Sequence, residues 1–352
     1  MDLLQQLGLT LKSLLRLRKT TLALFDKSQA RYPNQYPWTE DVMEAIIESP
    51  WSHSEFNFRA DYGQFKSEMT KEEQDIIVKT LALIGQVEIA VKTFWRDLGN
   101  TFPHPHIVDL GCVMAYNEVV HNRAYEHLLN VLGLEHIFED ILKEPVVAGR
   151  VDYLQKHKEK NFQDERKQFI YSLILFSLFV ENVSLFSQFY IVMHFNKTRY
   201  LLKDTAQQIQ YTRNEENLHA TVGKILINTL RNEYPEYFDE ELENLVRKEC
   251  LDALKHESRI VRWILGDYDK ADLNSEVVVS YIMNRLNESL EDIGFETLFE
   301  VDPKLKQKFL WADIEEEGTT VTDFFQKRVV EYTKNSKSYN IDDLWGLNDL
   351  QQ

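Results

Sequence analysis

Two Glu-x-x-His units, Glu118/His121 and Glu216/His219, are the residues of this chain best spaced to do chemistry. Of ten histidines, these two have a glutamate three positions earlier. Residues i and i+3 share one face of a helix, so each unit aims a carboxylate and an imidazole at the same point. Another glutamate precedes each unit: Glu88 lies 30 residues before Glu118, and Glu181 lies 35 before Glu216. Four carboxylates and two imidazoles make a ligand set that suits two iron ions, two manganese ions or one of each. Helical bundles build dinuclear sites from this combination, with one glutamate from each of two helices and Glu-x-x-His from each of the other two.

A single Glu-x-x-His unit would read as a solvated surface pair. The surroundings argue against that here. Glu88 stands in LALIGQVEIAV and Glu181 in LILFSLFVENVSLF. A carboxylate buried among such residues is strongly penalised unless it is paired or bound to metal. Four buried carboxylates without cations would repel one another and hold protons. Two divalent ions remove that conflict. His104 and His106 read as loop or capping residues, and His127 and His194 as packing or supporting residues.

The elements that must position these ligands are long helices. Twelve Gly and 8 Pro in 352 residues leave long uninterrupted stretches. Residues 31–40 read as a loop broken by Pro33 and Pro37. Thr70 reads as the N-cap of a helix with Glu72 and Glu73 in its first turn, running past Glu88 toward Leu98. A second helix runs from Val108 to about Leu132 and ends at Gly133. A shorter helical stretch follows from about His136 to Val147. Residues 164–195 read as a third long helix, apolar on most sides and therefore buried. A fourth restarts at Asn196 or at the Asp204-Thr205 pair and runs through Leu230, and further helices are expected at 239–265 and 274–293. The pattern weakens from Val301. The order Glu, Glu-x-x-His, Glu, Glu-x-x-His, with both units offset by 98 residues, is what two related antiparallel helix pairs would give.

Composition bounds the function. A net charge of −17 argues against nucleic acid or an anionic membrane as the main partner. Cys112 and Cys250 form no disulfide framework and fit a reducing compartment, so the chain reads as soluble and cytoplasmic. The most apolar stretch, Phe169 to Phe195, is interrupted by Glu181, Gln188 and His194 and is not expected to span a membrane. The basic, amphipathic Leu3 to Lys19 segment reads as a helix packing on the body or on a partner.

Beside the metal motif stand further residues. Tyr125 follows His121 by one turn. The segment Glu118-Val-Val-His121-Asn-Arg-Ala-Tyr125 resembles the E-x-x-H-x-x-x-Y motif of the small, radical-generating subunit of class I ribonucleotide reductase. Glu215-Glu216-Asn-Leu-His219 is similar to that family's second unit. Pro50-Trp51-Ser-His-Ser-Glu55 resembles its tryptophan segment; Trp38 is a second candidate, at a longer distance from Glu88. Asp323 to Tyr332 resembles the close of the family's folded body, and Tyr339 sits in a short acidic tail. The resemblance covers about residues 37–352.

It implies an all-α, ferritin-like four-helix bundle with additional helices, working as a homodimer. Residues 1–30 would be an N-terminal extension, 31–332 the metal-binding body and 333–352 a flexible tail docking the large subunit. Glu88, Glu118 and His121 would hold one metal and Glu181, Glu216 and His219 the other, with glutamates bridging. The centre, activated by oxygen or a reduced oxygen species, would store an oxidising equivalent and pass it to a cysteine of the large subunit for ribonucleotide reduction. Trp51, linked through Glu215 toward His121, would open the radical path. Tyr339 would relay it, and Leu344, Trp345 and Leu350 would dock. Leu185 and Phe189 are expected to wall Tyr125. Glu88 and Glu215 replace the family's more usual aspartates, and glutamate at the first position occurs in manganese-using subclasses that keep the oxidant on the metals. Storage on Tyr125 or on the metals therefore stays open, as does a flavoprotein activase. The rival readings are a dinuclear carboxylate oxidase or desaturase and a ferritin-like storage protein. Neither needs Trp51, Tyr125 and a tyrosine-bearing tail together.

Overall fold

The computed structural model describes residues 22–134 and 136–317, leaving aside the side chains of residues 88–92, 138–139 and 314–317. The N-terminal segment, Tyr332, Tyr339 and the tail 333–352 thus lie outside the described residues. Helices dominate: α1 (Trp38–Glu48), α2 (Arg59–Ser67), α3 (Lys71–Arg96), α4 (Pro105–Leu132), α5 (Pro145–Leu154), α6 (Glu165–Ile174), α7 (Phe186–Arg199), α8 (Lys203–Glu233), α9 (Glu240–Leu265), α10 (Ser275–Asp292) and α11 (Pro303–Glu317). A π-helical segment, Leu175–Ser184, joins α6 to α7. Among the described residues there is no β-strand, only an isolated bridge between Lys270 and Leu273.

Local chemistry sets the boundaries. Thr70 and Glu73 form a reciprocal capping box at the start of α3. Pro105 at the first turn of α4 lacks the N–H that would be orphaned there, and Gly133, with φ of 70°, stops α4 in the left-handed conformation. Asp164, Asp239 and Asn274 cap α6, α9 and α10. The helix α8 begins after Leu202 without a local cap. Asp61 of α2 supplies it from outside, accepting from Thr205 N–H and Thr205 Oγ1, both at 2.7 Å.

A ring closes around the site: α3 packs on α4, α4 on α8, α8 on the π segment and α7, and α7 back on α3. The remaining helices surround it, α1 against α4, α9 against α5 and α10, and α10 against the π segment and α11. The run Glu165–Arg199 is long and apolar enough to cross a membrane, yet 89% of its most apolar window is buried inside the protein, as in a core helix.

The structure differs from the sequence reading at several boundaries. Helix α1 begins at Trp38, inside the expected loop, because Pro37 serves as its cap position. The stretch after Gly133 breaks into Ile137–Ile141 and α5, since Pro145 starts a new helix. The third long helix is continuous but is not α-helical throughout. Helix α11 lies in the region where the sequence pattern weakens.

Candidate metal centre

The candidate ligands lie on separate elements. On α4, Glu118 and His121 are fully buried, three residues apart on one face, and on α8 Glu216 and His219 repeat that geometry. Glu181 is fully buried within the π segment. Glu88 lies on α3, and its side chain lies outside the described residues.

The two units interlock. His219 Nδ1 lies 2.9 Å from Glu118 Oε1, closer than to its own Glu216 Oε2 at 3.4 Å or Glu181 Oε2 at 3.5 Å. His121 Nδ1 lies 3.0 Å from Glu216 Oε1 and 3.6 Å from its own Glu118. Each histidine's nearest carboxylate within the cluster thus belongs to the opposite unit, so Glu118 and Glu216 sit between the two imidazoles. Ligand atoms of Glu118, Glu181, Glu216 and His219 lie within 4.8 Å of one another.

Both oxygens of Glu118 and Glu216, Oε2 of Glu181 and both ring nitrogens of His219 are buried without a hydrogen-bond partner. Such atoms are expensive in a protein interior. Here they converge on a common point and are all good ligands for a divalent cation. The residues fit a dinuclear metal site.

The electrostatics agree. Burial, and then the facing carboxylates of Glu216 and Glu118, push Glu181 well above the ordinary carboxylate range. Burial also favours a neutral Glu216, but the close approach of Glu181, His121 and His219 outweighs it and holds that carboxyl low. Burial disfavours charge on His219, yet Glu118, Glu181 and Glu216 around it raise its affinity for a proton well above the usual value. In the absence of cations the cluster holds protons, and metal binding must release them.

Supporting residues orient the ligands. Glu215 Oε2 lies 2.7 Å from His121 Nε2 and accepts from Trp51 Nε1–H at 2.9 Å. A carboxylate beside Nε2 holds the proton there and turns the Nδ1 lone pair toward the cluster. The Trp51 ring stacks near His121, centroids 6.0 Å apart, and also meets Tyr211 and Phe56. A groove lined by Ile46, Pro50, Trp51, Cys112, Tyr116 and Glu215 reaches this relay from the surface. Tyr125 is fully buried and donates to Thr212 Oγ1 at 3.3 Å. These two residues lie one turn from His121 and from Glu216 respectively, about 6 Å along each helix axis.

Sequence reasoning missed Trp95, whose Nε1–H donates to Glu181 Oε1 at 3.0 Å and whose ring lies 5.8 Å from His219. Its spacing, two turns after Glu88 on the same helix, was the available signal. Thr212, four residues before Glu216, was also missed. The other histidines lie elsewhere: His104 pairs with Ala23 O, His106 with Arg31 O, His194 with Ala271 O, and His127 packs on His53 and Phe58.

A bundle of long helices converging buried glutamates and histidines defines a dinuclear carboxylate protein of the ferritin-like class. Residues 30–307 match the family model for ribonucleotide reductase, small chain, and the chain belongs to that family. The family is the radical-generating subunit of an oxidoreductase and works with a large subunit, typically as a dimer. The chain is 23% identical over 317 residues to the ribonucleoside-diphosphate reductase subunit beta of Halalkalibacterium halodurans, covering 88% of this chain and 90% of that one. Its fold is similar to the ribonucleotide reductase R2 subunit from Clostridium botulinum, with TM-score 0.75 and 19% identity over 84% of this chain and 94% of that one. An R2-like ligand-binding oxidase with a Mn/Fe cofactor shares the fold at TM-score 0.63 and 15% identity, covering 76% of this chain and 96% of that one.

Proposed function

We propose that this chain is the small subunit of a cytoplasmic ribonucleoside-diphosphate reductase, with Glu88, Glu118 and His121 holding one metal ion and Glu181, Glu216 and His219 the other. The observation that carries this reading is the buried convergence of Glu118, Glu181, Glu216 and His219, with His121 joined through Glu215 to Trp51. The centre is two iron ions, two manganese ions or one of each, and Glu88 in place of aspartate favours a manganese-containing form. When bound, such a centre supplies one-electron oxidising power.

The chain's own residues then act as follows. Glu118 and Glu216, set between the imidazoles, hold the two halves of the site together. Glu215 fixes the His121 tautomer and stands beside the Trp51 indole N–H, where it can accept the proton that an oxidised indole releases. Tyr125, excluded from water one turn from His121, is a second oxidisable side chain protected from quenching. The body 31–332 presents the tail 333–352 to the large subunit, with Tyr339 as relay and Leu344, Trp345 and Leu350 as anchors. An acidic tail with a few apolar residues suits coupled folding and binding. A flavoprotein activase belongs to the manganese form of this reading.

The test is reconstitution of the full chain with a large subunit. Deoxyribonucleotide formation that stops in Tyr339→Phe, with metal content unchanged, is expected. Full turnover in Tyr339→Phe would move the relay elsewhere, Tyr332 being the next candidate. The fold likeness to a ligand-binding oxidase favours one second reading, a dinuclear oxidase. That reading predicts two bound metals but no turnover with any large subunit.

A further inference from the structure

The π segment Leu175–Ser184 carries Glu181, and π geometry is a poor local arrangement that persists where its surroundings over-determine it. Here the surroundings are specific. Arg285 of α10 donates through Nε to Asn182 O at 2.7 Å and through Nη2 to Asn182 Oδ1 at 2.6 Å. One turn on, Ser289 donates to Leu178 O at 3.2 Å and accepts from Asn182 Nδ2 at 2.9 Å. The Arg285 guanidinium also lies 3.5 Å over the Phe186 ring, where α7 resumes. From the other side Arg150 of α5 donates to Ser184 O and to Gln188 Oε1, its Nε held at 3.0 Å by Glu257. Arg285 is 5% exposed, and Arg150, Ser289, Gln188 and Glu257 are fully buried.

Two buried arginines from separate helices thus grip the carbonyls at the C-terminal end of the π segment, beginning at the residue directly after Glu181. Burying a guanidinium is costly, and fold stability alone is served as well by apolar packing. What apolar packing cannot do is donate hydrogen bonds to the carbonyls of one helical register and not to those of another. Slipping the segment by one residue toward α geometry would turn Glu181 by about 100° about the helix axis, away from the cluster.

We propose that Arg285, seated on Asn182 and supported by Arg150 at Ser184, is a positioning residue that holds the π register and thereby aims Glu181 at the metal site. This rests on the reading of Glu181 as a metal ligand. The test is a manganese(II) titration of the full chain, following the loss of free manganese(II) by electron paramagnetic resonance, with urea unfolding of the metal-free protein beside it. Arg285→Met is expected to weaken one of two manganese sites about 10–100-fold and leave the other unchanged. Arg285→Lys, which keeps a donor for Asn182 O, is expected to recover most of that loss. Should Arg285→Met fail to fold, Ser289→Ala is expected to weaken the same site to a smaller degree. Unchanged binding in the folded variants, or equal weakening of both sites in step with lost stability, would overturn the proposal. Glu181→Ala separates the two levels: loss of one site there with none in Arg285→Met refutes the clamp, and no loss in Glu181→Ala refutes the ligand reading itself.

Discussion

Replacing Gly223 by alanine probes a close approach of two helices beside the candidate metal site. Gly223 lies one turn after His219 on α8, and a Cβ there would stand 2.3 Å from both Cβ and Oγ of Ser177, one turn before Glu181. Ordinary contact between carbon atoms needs about 3.5–4.0 Å. The added methyl therefore forces α8 and the π segment apart by about 1 Å, since the opposing Cβ is fixed to the backbone. Overpacking of this kind costs about 1–3 kcal/mol, and alanine returns about 1 kcal/mol through its helix propensity. At the upper end of that range the net loss is about 2 kcal/mol, a fall in Tm of about 3 °C for a chain of 352 residues. The same separation moves His219 from Glu181, so manganese binding is expected to weaken as well. Thermal unfolding of the metal-free chain by circular dichroism and a manganese titration measure the two effects. Adding Ser177→Gly removes both clashing atoms, and the double variant is expected to regain metal binding although it loses the Ser177 bond to Leu173 O. A Gly223→Ala protein that melts at or above the wild-type temperature with unchanged metal binding would refute the reasoning.

Three further outcomes are expected. His157, buried against Phe94 and Phe176, is lowered by burial from 6.5 to about 4. Its neutral form therefore contributes stability that is fully present above pH 6.5 and is lost as pH falls toward 4, by about 3 kcal/mol; denaturation midpoints measured across that window should flatten in His157→Gln, and an unchanged slope would contradict the assignment. Asp61→Ala removes the carboxylate that caps α8 and leaves Thr205 N–H and hydroxyl unsatisfied, a loss of about 1–3 kcal/mol by urea unfolding. Trp51→Phe deletes the donor to Glu215 without touching the ligand atoms, so metal content should stay at the wild-type value while turnover with a large subunit falls to background; retained turnover would remove Trp51 from the path.

The parts of the site that could be read from sequence were those written on single helices. Each Glu-x-x-His unit is one helical turn, and its burial follows from the apolar residues around it. Tyr125 lies on the same helix as His121, so its neighbourhood follows from spacing alone. Contacts between helices carry no such signature. The bond from Trp95 to Glu181, the grip of Arg285 on Asn182 and the crossing of each imidazole toward the opposite glutamate depend on how the bundle closes. The π segment escaped notice because ten residues, apolar apart from Ser177, Glu181, Asn182 and Ser184, are too short a window for periodicity to separate 3.6 residues per turn from a wider coil. Pro145 and Pro37 signalled breaks, but the sequence reading did not use them as helix starts. Helix α11 has alternating charged and apolar residues with no dominant face, and its burial of Phe309 and Ala312 shows only in the packed structure.

The radical chemistry proposed for this chain requires the buried glutamates and histidines to hold two metal ions. Anomalous diffraction from crystals grown with manganese(II) and, separately, iron(II) tests it most directly. Two anomalous peaks are expected inside the bundle, both within the cluster of Glu118, His121, Glu181, Glu216 and His219. A single peak, or density confined to the protein surface, would contradict it.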